Sequence, residues 1–117
     1  MNAFEKVQAA ARSIGIYSCP DIKRKRDNRK KWITYNLVSE TGQMFGDDTA
    51  QDMVAHVQVH LFLPAHVNFY SDRNALRDAL IRQGFTYPEM VNNSLEGNNN
   101  EIRHIVFECR DDEERED

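Results

Sequence analysis

The 117-residue sequence has little of what marks membrane-spanning, secreted or disulfide-rich proteins. It contains no continuous apolar run of the eighteen or more residues that a transmembrane helix needs. Its first residues, MNAFEKVQAAARSIG, lack the basic and continuously apolar regions of a signal peptide, so we expect synthesis in the cytosol and no membrane partner. The two cysteines, Cys19 and Cys109, match no metal-ligand spacing and are expected to be free thiols.

Patterns typical of catalytic or metal sites are also missing. His56 and His60 lie on a predicted strand, about 13 Å apart at about 3.3 Å per residue, which is too far for one metal ion about 2 Å from each ring. His104 and Cys109 are separated by an odd number of residues on another predicted strand, so they point to opposite faces. The five glycines form no G-x-x-x-x-G-K phosphate loop. We therefore expect neither enzymatic activity nor a cofactor or metal.

Charge, by contrast, is abundant and unevenly distributed. The segment KRKRDNRKK, residues 23–31, carries a net charge of +6, whereas DDEERED, residues 111–117, carries −5 within a chain of net charge −4. The basic segment could contact phosphates of nucleic acid or the acidic surface of a neighbouring subunit, and the sequence leaves both alternatives open. It contains no aromatic residue and no predicted helix, so neither base stacking nor sequence-specific readout is expected.

Two sets of candidate contact residues follow from this charge pattern. The basic set, for nucleic-acid or inter-subunit contact, is Lys23, Arg24, Lys25, Arg26, Arg29, Lys30 and Lys31. The acidic set, for inter-subunit contact, is Asp47, Asp48, Asp111, Asp112, Glu113 and Glu114. Asp47 and Asp48 lack the ligand spacing of a calcium loop, so in isolation they are interpreted as turn residues that cap backbone amides.

Hydrophobic periodicity predicts two helices and four to five strands. Helices are expected from Asn2 to about Ile14 and from Ser71, as N-cap, to Gln83. Strands are expected within 14–19, ending before Pro20, and at 32–40, 53–63, 85–91 and 101–110, with loops at 41–52 and 92–100.

The order of these elements predicts a single α+β domain over residues 1–110. Its expected architecture is a mainly antiparallel sheet of four to five strands with two helices packed on one face. The strand at 53–63 carries apolar residues on one face and His56, Gln58, His60 and Phe62 on the other, which indicates a sheet covered on one side. A basic loop is predicted at 22–31, and an acidic disordered tail at 111–117.

The strand and turn motifs resemble those of tail-completion proteins, or tail terminators, of long-tailed bacteriophages. These proteins carry an aromatic-rich I-T-Y strand, an acidic loop near F-x-D-D and a V-Q-V-x-L-F strand. The corresponding residues are Ile33–Tyr35, Phe45 with Asp47–Asp48, and Val57–Phe62; the resemblance continues through Gly84–Phe85 and RHIVFECR, and covers Trp32 to Arg110. The basic segment lies outside the pattern.

The resemblance implies a structural virion protein made in the host cytoplasm and located in the neck between head and tail. It implies a hexameric ring at the head-proximal end of the tail tube that stops tube growth and provides the surface for head joining. The implied partners are further copies of the chain, the tail tube protein, a head-completion or adaptor protein, and genomic DNA in the lumen. The alternatives are a head-completion or adaptor protein of the neck, or a small nucleic-acid-binding protein without sequence specificity.

Overall fold

A computed structural model describes residues 1–21, 29–44 and 51–114, with only the backbone described at 43–44, 51–52 and 113–114. The elements are α1 (Ala3–Ser13), β1 (Tyr17–Pro20), β2 (Trp32–Met44), β3 (Gln51–Pro64), α2 (Phe69–Arg82), β4 (Glu89–Glu96) and β5 (Ile102–Glu114). None of the helices in these ranges has the length and apolar character needed to cross a membrane.

The five strands form one sheet in the order β1-β2-β3-β5-β4. Every pairing is antiparallel except that of β1, which runs parallel to the first residues of β2. The predicted α+β fold with a mainly antiparallel sheet is therefore confirmed. Pro20 lies inside β1 rather than after it, and its missing N–H is tolerated because β1 is an edge strand.

Both helices begin at an asparagine that accepts a backbone hydrogen bond. Asn2 and Glu5 form a capping box at the start of α1, as the sequence predicts for the Asn2 cap. The N-cap of α2 is Asn68, whose Oδ1 accepts from the Tyr70 N–H at 3.0 Å. The predicted cap at Ser71 is wrong, because Asn68 satisfies the free amides one turn earlier.

One face of the sheet is covered by both helices and holds the core. Alternate residues of the three central strands point into it, and small or branched residues of the helices meet them. The fully buried members include Val7, Ile33, Tyr35, Val57, Val59, Leu61, Leu63, Leu76, Leu80, Ile105 and Phe107. The opposite face of the sheet, called here the open face, carries no helix in the described chain.

The strands run further than the sequence predicts. β2 and β3 extend into the predicted loop at 41–52, and β4 takes up residues 92–96 of the predicted connection. The disordered tail predicted from residue 111 is wrong for residues 111–114, which pair with β3 as the last four residues of β5. Backbone pairing in an existing ladder outweighs the local repulsion between successive acidic side chains.

Candidate interaction surfaces

The long sheet separates the described basic residues that precede β2 from the described acidic residues at the end of β5. The protein measures 57 × 27 × 22 Å, and its strands follow the long dimension. Lys31 precedes the first pair of β2 with β3, Trp32 opposite Phe62, whereas Asp112 lies opposite Val54. We call these the basic end and the acidic end; they are about 26 Å apart at about 3.3 Å per residue. Within the described residues, the charges at the two ends therefore do not pair with each other in one subunit.

The basic end contains a cavity of about 510 Å³. Arg29 and Lys30 line it together with the Trp32 indole, His66 and Glu101. Backbone hydrogen bonds from the neighbouring Asn99 amide lower the pKa of the Glu101 carboxyl. The cavity thus combines two cations, one carboxylate and an aromatic surface.

Of the seven predicted basic contact residues, three lie in the described part of the chain: Arg29, Lys30 and Lys31. The Lys31 ammonium lies 2.7 Å from an Asp72 carboxylate oxygen, so it already pairs within the subunit. The Arg29 guanidinium lies 3.8 Å from the centroid of the Tyr17 ring. Lys23, Arg24, Lys25 and Arg26, like Asp47 and Asp48 of the acidic set, lie outside the described residues.

At the acidic end, Asp111 serves the subunit itself. Its side chain is 2% exposed, and its two carboxylate oxygens accept from the Lys6 ammonium of α1 at 2.7 and 2.9 Å. Asp111 is therefore corrected from a predicted inter-subunit contact to an internal ion pair. Asp112, on the other side of the strand, is exposed, while the side chains of Glu113 and Glu114 lie outside the described part.

A row of stacked rings crosses the open face near the basic end. Trp32 and Phe62, on neighbouring strands, stack with ring centroids 4.8 Å apart and planes 8° apart. Phe62 stacks in turn on His104 of β5 at 4.3 Å and 15°. The register of β2, β3 and β5 places the three rings side by side, and such cross-strand pairs stabilise a sheet. No periodicity in the sequence indicates this row, because it depends on strand order.

A chain of hydrogen bonds runs beside this row. The Glu96 carboxylate lies 2.6 Å from His104 Nδ1, His104 Nε2 lies 2.7 Å from His60 Nδ1, and His60 Nε2 lies 2.9 Å from Asn36 Oδ1. Since the carboxylate and the amide oxygen can only accept, His104 Nδ1 and His60 Nε2 must donate. Of the two ring nitrogens that face each other, His60 Nδ1 and His104 Nε2, one then donates and the other accepts.

The environment of His60 follows from this arrangement. Burial, then the positive charge of His104, lowers the pKa of His60 below its usual 6.5, and the more distant Glu96 raises it by a smaller amount. His60 is therefore neutral at pH 7.

Replacement of His104 by Gln should raise the pKa of His60 toward 6.5, because one of the two causes that lower it is removed. The shift is measured by following the His60 ring resonances by NMR through a pH titration. His56→Gln is the matched control, since it removes another imidazole from the open face, on β3, the strand that carries His60. An unchanged or lower His60 pKa in His104→Gln would contradict the arrangement.

Three arginines form a second unexpected cluster, on the helix-covered side beside β4. The guanidiniums of Arg73, Arg77 and Arg103 lie 4.6 to 5.6 Å from the centroids of the aromatic rings that they contact: Phe69, Tyr70, Tyr87 and Phe107. Within the described residues, no carboxylate lies within 4.0 Å of any of the three. Arg103 Nε is buried without a hydrogen-bond partner.

Cys109 is a free thiol buried in the core, where burial and then Asp111 raise the pKa of its thiol to about 12. His104 lies on the open face, as the odd spacing predicts. No group of three His, Cys, Asp or Glu side chains within the described ranges is placed to hold a metal ion.

Comparison with known proteins adds information on the fold. No protein-family model matches the chain, and no curated protein matches it. One solved structure that does match is a chain of the virion of a native gene transfer agent particle. The two chains share a fold. Their TM-score is 0.52 at 12% sequence identity, and the match covers 96% of this chain and 91% of the virion chain.

Proposed function

We propose that this chain is a structural virion protein: a tail terminator, or tail-completion subunit. The observation that carries the proposal is the fold shared with a virion chain along nearly the full length of both. In this role the chain forms a hexameric ring at the head-proximal end of the tail tube. The ring ends tube growth and provides the joining surface for the head, without catalysis.

The placement of charge supports a ring. A cyclic ring needs two different and complementary patches on each subunit, because its contacts are heterologous. Among the described residues, Lys30 and Asp112 lie at opposite ends of one sheet, so an attraction between these two ends acts between molecules rather than within one. The partners under this proposal are identical copies, the tail tube protein and a head-completion or adaptor protein. Genomic DNA passes through the lumen.

Mass measurement and tube binding test the proposal. The purified chain should assemble at high concentration to a species of six times its 13.6 kDa mass and should cosediment with isolated tail tubes. Assemblies that bind isolated heads but not tubes would instead indicate the alternative neck role, a head-completion or adaptor protein. A chain that stays monomeric and binds neither would overturn the proposal.

A second candidate function, binding of nucleic acid without sequence specificity, is favoured by the cavity at the basic end. Arg29 and Lys30 line it with Trp32, directly after the basic segment. Binding of duplex DNA should weaken as salt rises, with a slope of about −0.9 in log affinity per neutralised phosphate. Replacing Lys23, Arg24, Lys25 and Arg26 by Ala should abolish it, as measured by fluorescence anisotropy. Unchanged binding would exclude the basic segment as the contact.

A further inference from the structure

Two stretches of the sheet have free edges in the described structure. β4 is the last strand of the sheet, and no described strand pairs with its outer edge. On the opposite side, β1 covers β2 only from Trp32 to Tyr35. From Asn36 onward the outer edge of β2 is also unpaired by any described strand. Backbone N–H and C=O groups on such edges are ready to pair with another strand.

These two edges lack lysine and proline, two residues that protect the edges of monomeric sheets, and each carries one bulge, between Leu37 and Ser39 on β2 and between Met90 and Asn92 on β4. The shorter β1 edge, by contrast, ends in Pro20. Instead, large apolar side chains are exposed along both. They are Leu37 and Val38 on β2, and Met90, Val91 and Leu95 on β4. Exposed apolar edges of this kind mark contact surfaces.

We propose that the β4 edge of one subunit pairs, antiparallel, with the free β2 edge of the next copy. This deepens the proposed ring, on which it rests, by naming its subunit contact. β4 runs in the same direction as β3 and therefore opposite to β2. A neighbour in the same orientation thus presents β2 antiparallel to β4. The helices of all copies then lie on one side of a continuous sheet, and the open faces lie on the other.

The side chains agree on one register. Leu95 lies opposite Arg103, and Leu37 lies opposite the buried Val57, so both leucines are on the helix-covered side. Each is 44% exposed in the single subunit. Pairing Leu95 of one copy with Leu37 of the next buries both side chains. In this antiparallel register, the part of β4 that precedes Leu95 lies beside the part of β2 that follows Leu37 and runs toward Met44.

Charge complementarity favours the same register. Glu40 lies opposite Ala55, a core residue, so its carboxylate is also on the helix-covered side. In the paired edges, Glu40 falls near Asn93 of the neighbour, whose Oδ1 accepts from Arg103 Nη1 at 2.6 Å. Arg103 belongs to the arginine cluster that has no carboxylate partner among the described residues. The exposed Glu40 carboxylate would supply a negative charge beside this Arg103 of the neighbouring copy.

The stagger between copies suits a closed ring. Within one subunit, Leu95 is aligned through Arg103 with Leu63 of β3, whereas Leu37 is aligned with Val57 of β3. The two leucines are therefore offset along the strand direction by six residues, or about 20 Å. Because β1 and the neighbour's β4 share the outer edge of β2, one repeat of the continuous sheet is four strands, or about 19 Å at about 4.8 Å spacing. A shift of this size per subunit tilts the strands by about 46°, just above the range of about 35–45° found in closed barrels.

Cysteine cross-linking tests the contact directly. In a Cys19→Ser background, the double variant Leu37→Cys/Leu95→Cys is treated with a short bis-maleimide and run on a denaturing gel. Cys109 stays unmodified, since it is buried and its thiol pKa is raised to about 12. Because the contact is heterologous, the double variant should give a ladder of covalent multimers, while each single variant stays at the mass of one chain.

The outcomes separate this inference from the ring itself. Dimers from Leu95→Cys alone would indicate a symmetric β4–β4 contact and overturn the inference. Assemblies of normal mass that give no ladder would also overturn it while leaving the proposed ring intact, and an unsubstituted chain that stays monomeric would count against both.

A charge variant gives a second readout that does not depend on the engineered thiols. Glu40→Lys should weaken assembly by about tenfold or more, because it brings a cation to Arg103. Asp78→Lys, at an exposed position of α2, is the control with an equal change of charge. Circular dichroism melts verify that each variant is folded. Equal assembly of Glu40→Lys and the parent chain would overturn the contact.

Discussion

Replacement of Lys6 by Met lowers the free energy of unfolding by about 3–5 kcal/mol, because it leaves a buried carboxylate without its partner. Asp111 is 2% exposed, and its oxygens lie 2.7 and 2.9 Å from Lys6 Nζ. The pair joins α1 to the far part of β5, 105 residues away in the chain. Urea denaturation followed by circular dichroism measures the loss.

The double variant Lys6→Met/Asp111→Leu provides the control. It removes both charges, so most of the lost stability should return, since two apolar side chains can replace a buried ion pair at little cost. Lys30→Met, at an exposed position, should change the unfolding free energy by less than about 0.5 kcal/mol. Equal losses in the single and double variants would show that Asp111 does not need the ammonium.

Replacement of Phe107 by Ala is the second large effect, with an expected loss of about 3–5 kcal/mol. Phe107 is 0% exposed in the middle of β5, opposite Val59 of β3 and within the core shared by both helices. Removal of its ring leaves a cavity in the central layer that neighbouring strands are too constrained to close. Thermal and urea unfolding measure the change.

The matched control is Phe62→Ala, the same substitution on the open face. Phe62 is only partly buried and packs against Trp32 and His104 rather than into the core. Its loss should therefore destabilise the protein clearly less than the loss of Phe107. Equal losses at both positions would mean that the open face is as tightly packed as the core, which contradicts the assignment of sides.

The elements set by local patterns could be predicted from the sequence. The alternation along β3 separates Val57, Val59 and Leu61 from the polar face, and the structure buries the same three side chains. The 3.6-residue spacing and the Asn2 cap define α1 in the same way. These signals are readable because periodicity and capping depend on neighbouring residues alone.

Features that depend on distant pairing could not be predicted. The strand order places β4 beside β5 and so brings Glu96, His104 and His60 into one hydrogen-bonded chain. Asp111 belongs to an acidic run whose composition is typical of disorder, yet its partner is Lys6 in the first helix. The i, i+4 spacing of Arg73 and Arg77 is a readable sign of one helix face. It does not reveal Arg103 on the neighbouring strand.

The length of the sheet also limits what the described basic residues, 29–31, can contact. An internal pairing with the acidic residues of β5 is excluded for the described residues, because the two charged ends lie at opposite ends of the same strands. Contacts of the basic segment with the next subunit and with DNA remain as proposals, and the salt titration above tests the second of them.

Electron microscopy of the purified chain, alone and mixed with isolated tail tubes, tests the central proposal most directly. We expect closed rings of six subunits whose central hole is wide enough for duplex DNA, seated at one end of each tube. A chain that remains monomeric at high concentration and leaves the tube ends bare would contradict the proposal that it is a ring-forming virion protein.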